Sequence, residues 1–292
     1  MAVTAACIAS EEIYRPWDAS RVKGARIEAR QTPFGQSGDI FLIDDRSGAF
    51  YLVPRYGAVD HPPMPGGPAG PPIRATMYAL KDLGVRHVIG WAPGGAIRHT
   101  MAVGDVVVLT DLIDRTYLRE KTFFAGCPWG RLRQFPVFCP RLRRSAGQAL
   151  HEMKLVYHGA ATAAVTEGPR LETPAEIRAL AATDAAIVTH AFVPEVFLAK
   201  ELQMCYAALC YVVDYAETGS RHPPFTGSDL FGGLTARTQA ERLAAAVGAL
   251  PQVIANIVGA LDQIDCTCQC DSTMADHIRE YRLPQDWHEW LT

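Results

Sequence analysis

Two ionisable side chains stand at the ends of apolar, strand-like runs. His190 follows the run 187–189, and Asp214 follows the run 206–213. Ligands of α/β sheets bind outside the carboxyl ends of the strands, so polar residues at these ends are candidates for function. A histidine there can act as a general base, and an aspartate can accept hydrogen bonds from a heterocycle. A purely structural role is the alternative for His190.

A second polar feature is the segment EGPRLETPAE at residues 167–176. It places two carboxylates, one of them Glu172, and an arginine around a rigid turn just before a predicted helix. Buried carboxylates beside a cleft can accept hydrogen bonds from the N–H groups of a heterocycle. Thr173 and Glu176 have the spacing of a capping box, so helix capping is predicted in the same place.

A glycine-rich segment, GWAPGG at residues 90–95, follows the predicted strand 85–89. Open backbone amides after a strand can cradle a phosphate, so a loop here is a candidate anion site, although Gly-Gly is also common turn chemistry. The chain has no nucleophile elbow and no Ser-His-Asp order, and its histidines lack metal-ligand spacing. We therefore expect neither a cofactor nor a metal at the site.

Composition excludes several classes of protein. The formal net charge of −3 over 292 residues provides no basic face for nucleic acid. No segment approaches the roughly 20 apolar residues of a membrane span. The first residues lack the basic leader of a secretory signal, and Glu11 and Glu12 follow them. We expect a cytoplasmic protein that binds neither nucleic acid nor membrane.

Apolar β-rich runs alternate with helical stretches along the chain. Strands are predicted at residues 5–9, 40–43, 49–53, 85–89, 106–109, 187–189 and 205–213. Helices are predicted at 76–83, 141–154, 174–182, 194–201 and 236–261, the last broken near Pro251. This alternation predicts a single α/β domain at 1–262, with a central mixed sheet flanked by helices, and a tail at 263–292. The Pro- and Gly-rich segment 61–72 is a connector or an active-site lid.

The eight cysteines fall into two groups. Five are scattered and are predicted to be buried, reduced thiols: Cys7, Cys127, Cys139, Cys205 and Cys210. The other three form Cys-x-Cys-x-Cys at residues 266–270. Free thiols are one interpretation of this tail motif, and a metal clip is another. The spacing is tighter than that of usual zinc ligands, and no histidine pair accompanies it.

Ordered motifs across most of the chain from about residue 30 carry a family resemblance. They are TPFG at 32–35, RYG at 55–57, YALK at 78–81, GD at 104–105, DLIDRT at 111–116, FCP at 138–140, EGPRLETPAE at 167–176, VPEV at 193–196, AKE at 199–201 and CYA at 205–207. Together they resemble the trimeric purine nucleoside phosphorylases, particularly the 5'-methylthioadenosine phosphorylases. The resemblance implies an enzyme in which phosphate attacks ribose C1' as the purine departs. It also implies a homotrimer with active sites at subunit boundaries, and a tail motif of the kind that forms disulfides in some relatives.

The base site implied by the resemblance is present. Asp214 stands where the family contacts N7 and the 6-substituent of the purine, and aspartate there favours adenine. Glu172 matches the 6-oxopurine branch instead, so the identity of the base stays open. The resemblance also assigns nucleoside contacts to Leu171, Ala92, Pro93, Gly94 and Phe192. Arg131, near a position lent by a neighbouring subunit, would suit an anionic 5' substituent, although a surface arginine is the alternative.

The phosphate site implied by the resemblance is altered. A Gly-Gly-Thr-Gly loop is replaced by Ala-Ser-Glu-Glu at residues 9–12, and the usual Arg-His pair is Arg55-Tyr56. Ala191 stands in place of a threonine, and His190 in place of a methionine that walls the ribose. Whether phosphate takes part is therefore open. Our hypothesis is a purine nucleosidase in which His190 or Glu11 activates water; a conventional phosphorylase and a catalytically silent nucleoside-binding protein are the alternatives.

Overall fold

The computed structural model describes residues 3–10, 24–27, 29–45, 48–57, 72–216, 237–261 and 267–291. Glu11, Cys266 and residues 61–71 lie outside the described residues. The predicted catalytic role of Glu11 and the predicted lid therefore stay predictions. The remaining candidate site residues all fall within the described ranges.

Eleven strands are present in the part of the chain that the structure describes. They are β1 (Ala5–Ala9), β2 (Gly24–Ile27), β3 (Gln31–Thr32), β4 (Gly35–Gln36), β5 (Ile40–Asp45), β6 (Gly48–Pro54), β7 (His87–Ala96), β8 (Val106–Arg115), β9 (Tyr157–Thr166), β10 (Ile187–Thr189) and β11 (Cys205–Tyr215). Nine form one sheet in the order β10-β9-β8-β11-β7-β1-β6-β5-β2, and β3 pairs with β4. The sheet is mixed, because β11 runs parallel to β7 and antiparallel to β8.

Helices cover both faces of the sheet. They are α1 (Ile73–Asp82), α2 (Pro140–Glu152), α3 (Pro174–Ala182), α4 (Glu195–Glu201), α5 (Arg237–Gly248), α6 (Leu250–Ala260) and α7 (Ala275–Tyr281). Met77 of α1 and Leu198 of α4 lie in the core layer on one face, and Leu142 of α2 and Ile254 of α6 lie in the layer on the other. The predicted α/β domain with a central mixed sheet is confirmed.

The predicted long helix 236–261 is interrupted as the sequence indicated. Its two halves, α5 and α6, meet at residue 249, and Pro251 lies in the first turn of α6, where a missing N–H costs nothing. Among the described residues, no single helix has the length and apolar character of a membrane span. These two helices meet that test only when taken together, and they are bent by 44°.

The predicted loop at residues 90–95 is wrong, because these residues belong to β7. They pair with β11 along their whole length, and Gly95 also pairs with Val188 of β10. Gly94 is squeezed between these strands: a Cβ there would lie 2.6 Å from Sγ of Cys210 and 2.8 Å from the carbonyl oxygen of Val188. The glycines therefore allow close strand packing, which a reading of local turn chemistry does not reveal.

The described part of the tail, residues 267–291, packs on the body of the chain. Met274 and Trp290 are buried in the core layer that contains α1 and α4. The ring of Trp287 lies 4.9 Å from the ring of Tyr78 between centroids, and the hydroxyl of Thr273 donates to the carbonyl oxygen of Lys200 at 2.7 Å. These contacts hold the tail against α1 and the end of α4.

A buried carboxyl group in α4 should make stability depend on pH. Glu201 accepts hydrogen bonds from Thr122 and Phe123, but burial raises its pKa from 4.5 to about 7. A carboxyl group with a raised pKa stabilises the fold below its unfolded pKa, and this contribution is lost as pH rises through the folded value. The free energy of unfolding of the wild type should therefore fall relative to that of Glu201→Gln as the pH rises. We expect this difference to change by up to about 3 kcal/mol between about pH 5 and pH 8.

Urea unfolding of both proteins at the two pH values measures this difference. Glu176→Gln is the control, since hydrogen bonds with Arg170 and Thr173 hold the pKa of this exposed carboxyl group at about 2, outside the range tested. A Glu201→Gln variant whose stability follows the wild type in parallel across the range would contradict the prediction.

Candidate active site

A cleft of about 610 Å³, including its open mouth, lies at the carboxyl ends of the central strands. The ends of β1, β6, β10 and β11, the last residues of β7 and the turn before α3 all contribute to it. Its lining residues are Ser10, Tyr56, Pro93, Gly94, Gly95, Leu171, Glu172, Val188, Thr189, His190, Ala191, Asp214, Tyr215 and Ala216. Parallel strands place their carboxyl ends at one edge, and this is why segments far apart in sequence converge here.

Most of the residues proposed from the sequence meet in this cleft. Those that line it are Asp214, His190, Glu172, Leu171, Pro93, Gly94, Tyr56 and Ala191. Ala92, Phe192, Arg55 and Arg131 do not line it.

His190 and Glu172 form a pair at one wall. Nε2 of His190 lies 3.3 Å from Oε1 of Glu172, and both side chains are under 10% exposed, at 6% and 8%. The hydroxyl of Thr166, at the end of β9, donates to the same Glu172 oxygen. Burial alone would raise the pKa of the Glu172 carboxyl group, but the hydrogen bonds with His190 and Thr166 hold it below its usual value. Glu172 is therefore a carboxylate at neutral pH that orients the imidazole and would stabilise its protonated form.

Asp214 lies near the end of β11. The register between β11 and β7 shifts between Val212 and Asp214, a local irregularity of the kind that redirects a side chain. A Cβ on Gly95 would lie 2.9 Å from Oδ1 of Asp214. Glycine at position 95 thus leaves the room that the Asp214 carboxyl group occupies.

The segment after β10 is held in an unusual backbone shape. The hydroxyl of Thr189 donates to the carbonyl oxygen of Pro93 at 2.8 Å and accepts from the N–H of Ala191 at 3.3 Å. Phe192 has a φ of +74° and is buried. A Cβ on Gly90 would lie 2.8 Å from its ring, so Phe192 packs in the core beneath β7. The turn therefore directs His190 and Ala191 to the cleft and Phe192 away from it, which differs from the predicted nucleoside contact.

Ala92 also faces away from the cleft. It is a buried residue of β7 and belongs to the core layer that contains α1 and α4. Because successive strand residues point to opposite faces, Ala92 faces the core while its neighbour Pro93 reaches the cleft. Arg131 is an exposed residue that follows the short 3₁₀ helix Pro128–Gly130. Its role at a subunit boundary stays a prediction.

Arg55 forms a buried ion pair instead of facing the cleft. Its guanidinium lies against the carboxylate of Glu195 at the start of α4, and the two side chains are 5% and 1% exposed. Nη2 of Arg55 also lies 3.3 Å from the carbonyl oxygen of Val193. The neighbouring Tyr56 lines the cleft, with its ring centroid 5.8 Å from the Arg55 guanidinium carbon. Glu195 thus matches the charge of Arg55. The predicted contact between Arg55 and an anion stays a prediction.

Arg119 is a half-buried residue near the site that the sequence analysis missed, and its side chain is 8% exposed. Its guanidinium donates to the carbonyl oxygens of His190 and Val193, at 2.8 and 2.6 Å, and to those of Thr166 and Glu167, at 3.1 and 2.9 Å. Burial and the nearby charge of Arg55 lower the pKa of Arg119, and Glu167 offsets part of this. Arg119 thus joins the end of β9 to the turn that carries His190. It follows DLIDRT in sequence, but nothing local indicates such a role.

Ser10 and Thr189 are further polar residues of the cleft that were not proposed. Ser10 follows β1, and its buried hydroxyl has no hydrogen-bond partner among the residues that the structure describes. Each follows or ends a strand, which is the same signal that singled out His190 and Asp214. That rule could have found both residues.

The electrostatics of the cleft are unusual for an anion site. Its described lining contains two carboxyl groups, those of Glu172 and Asp214, and the imidazole of His190, but no lysine or arginine. Such a lining can accept hydrogen bonds from a base, remove a proton from a neutral nucleophile, and stabilise a sugar that becomes positively charged.

The fold and this cleft define an α/β protein of the nucleoside phosphorylase type. The methylthioadenosine phosphorylase from Schistosoma mansoni in complex with tubercidin has the same fold, with a TM-score of 0.77 over 94% of this chain and 96% of that one, at 24% identity.

Sequence comparison gives the family. Residues 28–250 match the phosphorylase superfamily. The S-methyl-5'-thioadenosine phosphorylase of Saccharolobus solfataricus is 36% identical over 212 residues, which cover 71% of this chain and 75% of that protein. The 6-oxopurine nucleoside phosphorylase of Pyrococcus furiosus is 34% identical over 203 residues, covering 65% and 73%. The chain belongs to the phosphorylase superfamily, and its predicted family is confirmed.

Proposed function

We propose that this protein cleaves the N-glycosidic bond of a purine nucleoside bound in the cleft. One observation carries the proposal: Asp214, Glu172 and His190 open into a single cleft at the carboxyl ends of the strands. The curated relatives named above are purine or methylthioadenosine phosphorylases, which supports a nucleoside substrate.

Asp214 is assigned to the base. Its carboxylate can accept a hydrogen bond from the 6-amino group of adenine, and in its protonated form it can donate to N7 as the base leaves. We therefore propose an adenine nucleoside, of the 5'-deoxy-5'-thioadenosine type. The prediction that Arg131 of a neighbouring subunit of a homotrimer meets the 5' end belongs to the same proposal.

We propose water as the nucleophile. His190 takes a proton from the water while the water oxygen forms a bond to C1'. The C1'–N9 bond breaks, and the electron pair of that bond leaves with the purine. Asp214, in its protonated form, donates its proton to N7, which neutralises the leaving base. Glu172, 3.3 Å from His190, stabilises the imidazolium. Water suits a described lining without lysine or arginine, because the Glu172 carboxylate in that lining would repel phosphate at close range.

Phosphorolysis is the second candidate. It is favoured by the buried hydroxyl of Ser10, which lacks a partner among the described residues and can donate to an anion in the cleft. The names of the relatives favour it too.

The test is base release from adenosine, methylthioadenosine and inosine by phosphate-free protein, with and without added phosphate. Release without phosphate, with ¹⁸O from labelled water in the sugar, supports hydrolysis. A strict need for phosphate and a sugar 1-phosphate product would overturn the water mechanism and leave the proposed substrate standing. Nucleoside binding by calorimetry without any release would instead indicate a silent nucleoside-binding protein. Failure to bind or cleave any of the three would refute the proposal.

Asp214→Asn should shift the preference of the enzyme from 6-aminopurines toward 6-oxopurines. Asparagine can donate to a 6-oxo group, whereas it loses the charged acceptor for a 6-amino group. We expect the ratio of kcat/KM for methylthioadenosine over methylthioinosine to fall by about 10- to 100-fold, the value of a hydrogen bond to a charged group. Steady-state kinetics with both nucleosides measure the ratio. Leu171→Ala, an apolar lining residue, is the control and should affect both alike; an unchanged ratio in Asp214→Asn would be inconsistent with base recognition by Asp214.

A further inference from the structure

Four cysteines converge at a place remote from the cleft. The sulfur atoms of Cys139, Cys205, Cys268 and Cys270 all lie within 4.8 Å of one another. Cys139 and Cys205 are buried, and Cys268 and Cys270 are half-buried. None of the four lines the cleft, so the catalytic proposal does not account for them.

Three separate parts of the fold build this cluster. Cys139 is the N-cap residue of α2, and Cys205 is the first residue of β11. The N–H of Cys139 donates to the carbonyl oxygen of Tyr206 at 2.8 Å, which fixes these two positions side by side. The tail then supplies Cys268 and Cys270, one residue apart, just before the contact between Thr273 and Lys200.

The distance between one pair of these sulfurs matches tetrahedral coordination, and all four lie within 4.8 Å of one another. Zinc–sulfur bonds of about 2.3 Å place the corners of a tetrahedron about 3.8 Å apart. The Sγ atoms of Cys205 and Cys268 are 3.7 Å apart. A disulfide would need about 2.05 Å between the two sulfurs. Each of the four residues offers one sulfur, and together they supply the complete ligand set of a closed site.

We propose that Cys139, Cys205, Cys268 and Cys270 form a structural tetrathiolate site for a thiophilic, tetrahedral divalent metal ion of the zinc class. Each thiol loses its proton when its sulfur binds the metal. Because all four ligands come from protein, the site leaves no open position for substrate or water, and its role is to fasten the tail to α2 and β11.

A site of four thiolates around a divalent cation carries two net negative charges. The surroundings of the cysteine cluster suit this charge. Arg143 and Lys200 are close enough to interact electrostatically with Cys139 and Cys270, and they offset the negative charge. Such outer-shell partners orient metal ligands and raise affinity.

The sequence motif alone left a metal clip as one of the alternatives, because Cys-x-Cys is tighter than the usual zinc spacing and no histidine pair accompanies it. The second pair of ligands is 63 or more residues away in sequence, at Cys205 and Cys139. Only the packing of the tail on the body brings the four sulfurs together.

The test begins with the intact full-length protein, purified without chelator and incubated with Zn²⁺ under reducing conditions. We expect one tightly held zinc ion per chain by elemental mass spectrometry. X-ray absorption should show a shell of four sulfurs at about 2.3 Å. Replacement by Co²⁺ should give the intense visible bands of tetrahedral cobalt thiolate. A shell that includes nitrogen or oxygen, or no retained metal, would overturn the assignment.

Variants identify the ligands. Cys268→Ser/Cys270→Ser should lose the metal, and so should Cys139→Ser, which leaves the tail sequence unchanged. Cys127→Ser is the matched control, because Cys127 is half-buried but lies outside the cluster, and it should keep one ion per chain. If the wild type binds no metal even when reduced, and the protein as isolated is lighter by two hydrogens for each pair of these cysteines, they form disulfides and the proposal is wrong.

Discussion

His190→Ala is expected to slow base release from a purine nucleoside by about 10²- to 10⁴-fold, the usual contribution of a general base. The nucleoside should still bind with nearly wild-type affinity, because Asp214 and the rest of the lining are unchanged. His190 lies 3.3 Å from the Glu172 carboxylate and is almost fully buried, so it is held in one orientation toward the cleft. Rates from single-turnover release and affinities from calorimetry separate the two effects.

His158→Ala is the matched control for this prediction. His158 also pairs with a carboxylate, Asp105, at 2.9 Å, but it does not line the cleft. It should leave base release unchanged. Glu172→Gln should give an intermediate loss, because a neutral amide orients the imidazole of His190 less strongly than the carboxylate does. If His190→Ala kept the wild-type rate, His190 would have no part in proton transfer.

Glu195→Ala is expected to lower the free energy of unfolding by about 3–5 kcal/mol, because it leaves the buried charge of Arg55 without its partner. The two side chains are 5% and 1% exposed, so the guanidinium is shielded from solvent. Urea unfolding followed by circular dichroism measures the effect. Glu120→Ala is the control, since its ion pair with Arg74 is exposed on the glutamate side and should contribute about 0–1 kcal/mol.

The double variant Arg55→Met/Glu195→Leu refines this second prediction. Replacing a buried ion pair by apolar residues of similar volume is often neutral, so most of the stability lost in Glu195→Ala should return. A Glu195→Ala protein as stable as Glu120→Ala would show that the charge of Arg55 finds compensation elsewhere, and Arg55 would again be a candidate to meet an anion.

The cleft keeps the region that the family uses for the base and differs in the residues expected at the phosphate. The end of the cleft assigned to the base, around Asp214 and Gly95, has the polar groups that a purine requires. The arginine expected to meet phosphate is matched by Glu195 and does not line the cleft, whereas a histidine–glutamate pair faces it. Arg119 positions that pair through the carbonyl oxygen of His190. A change of nucleophile would therefore need few new residues on an unchanged sheet.

Local chemistry made a large part of the fold predictable. Strands β1 and β10 and helix α3 have the predicted bounds, because short apolar runs and a capping box are encoded by neighbouring residues. The side chains of Thr173 and Glu176 cap each other's backbone, as expected. The same rule of polar residues at strand ends found His190 and Asp214, and ordered motifs identified the family.

Strands built from small residues could not be predicted from these local patterns. β9 reads Tyr-His-Gly-Ala-Ala-Thr-Ala-Ala-Val-Thr, with few of the β-branched and aromatic residues that mark a strand. Residues 90–95 of β7 were predicted to form a loop. Both are strands because flanking strands satisfy their backbone and leave no space for larger side chains, as at Gly94.

The sequence by itself thus determined the fold class, the family and the polar residues at the strand ends. Only the tertiary structure decided that Arg55 pairs with Glu195, that Arg119 supports His190, and that four cysteines share one place. Tens of residues separate the two partners of each arginine contact, and they also separate the tail cysteines from Cys139 and Cys205, so no local propensity favours these contacts. The residues meet because sheet order and helix packing bring them together, and burial then requires each charge or polar atom to have a partner.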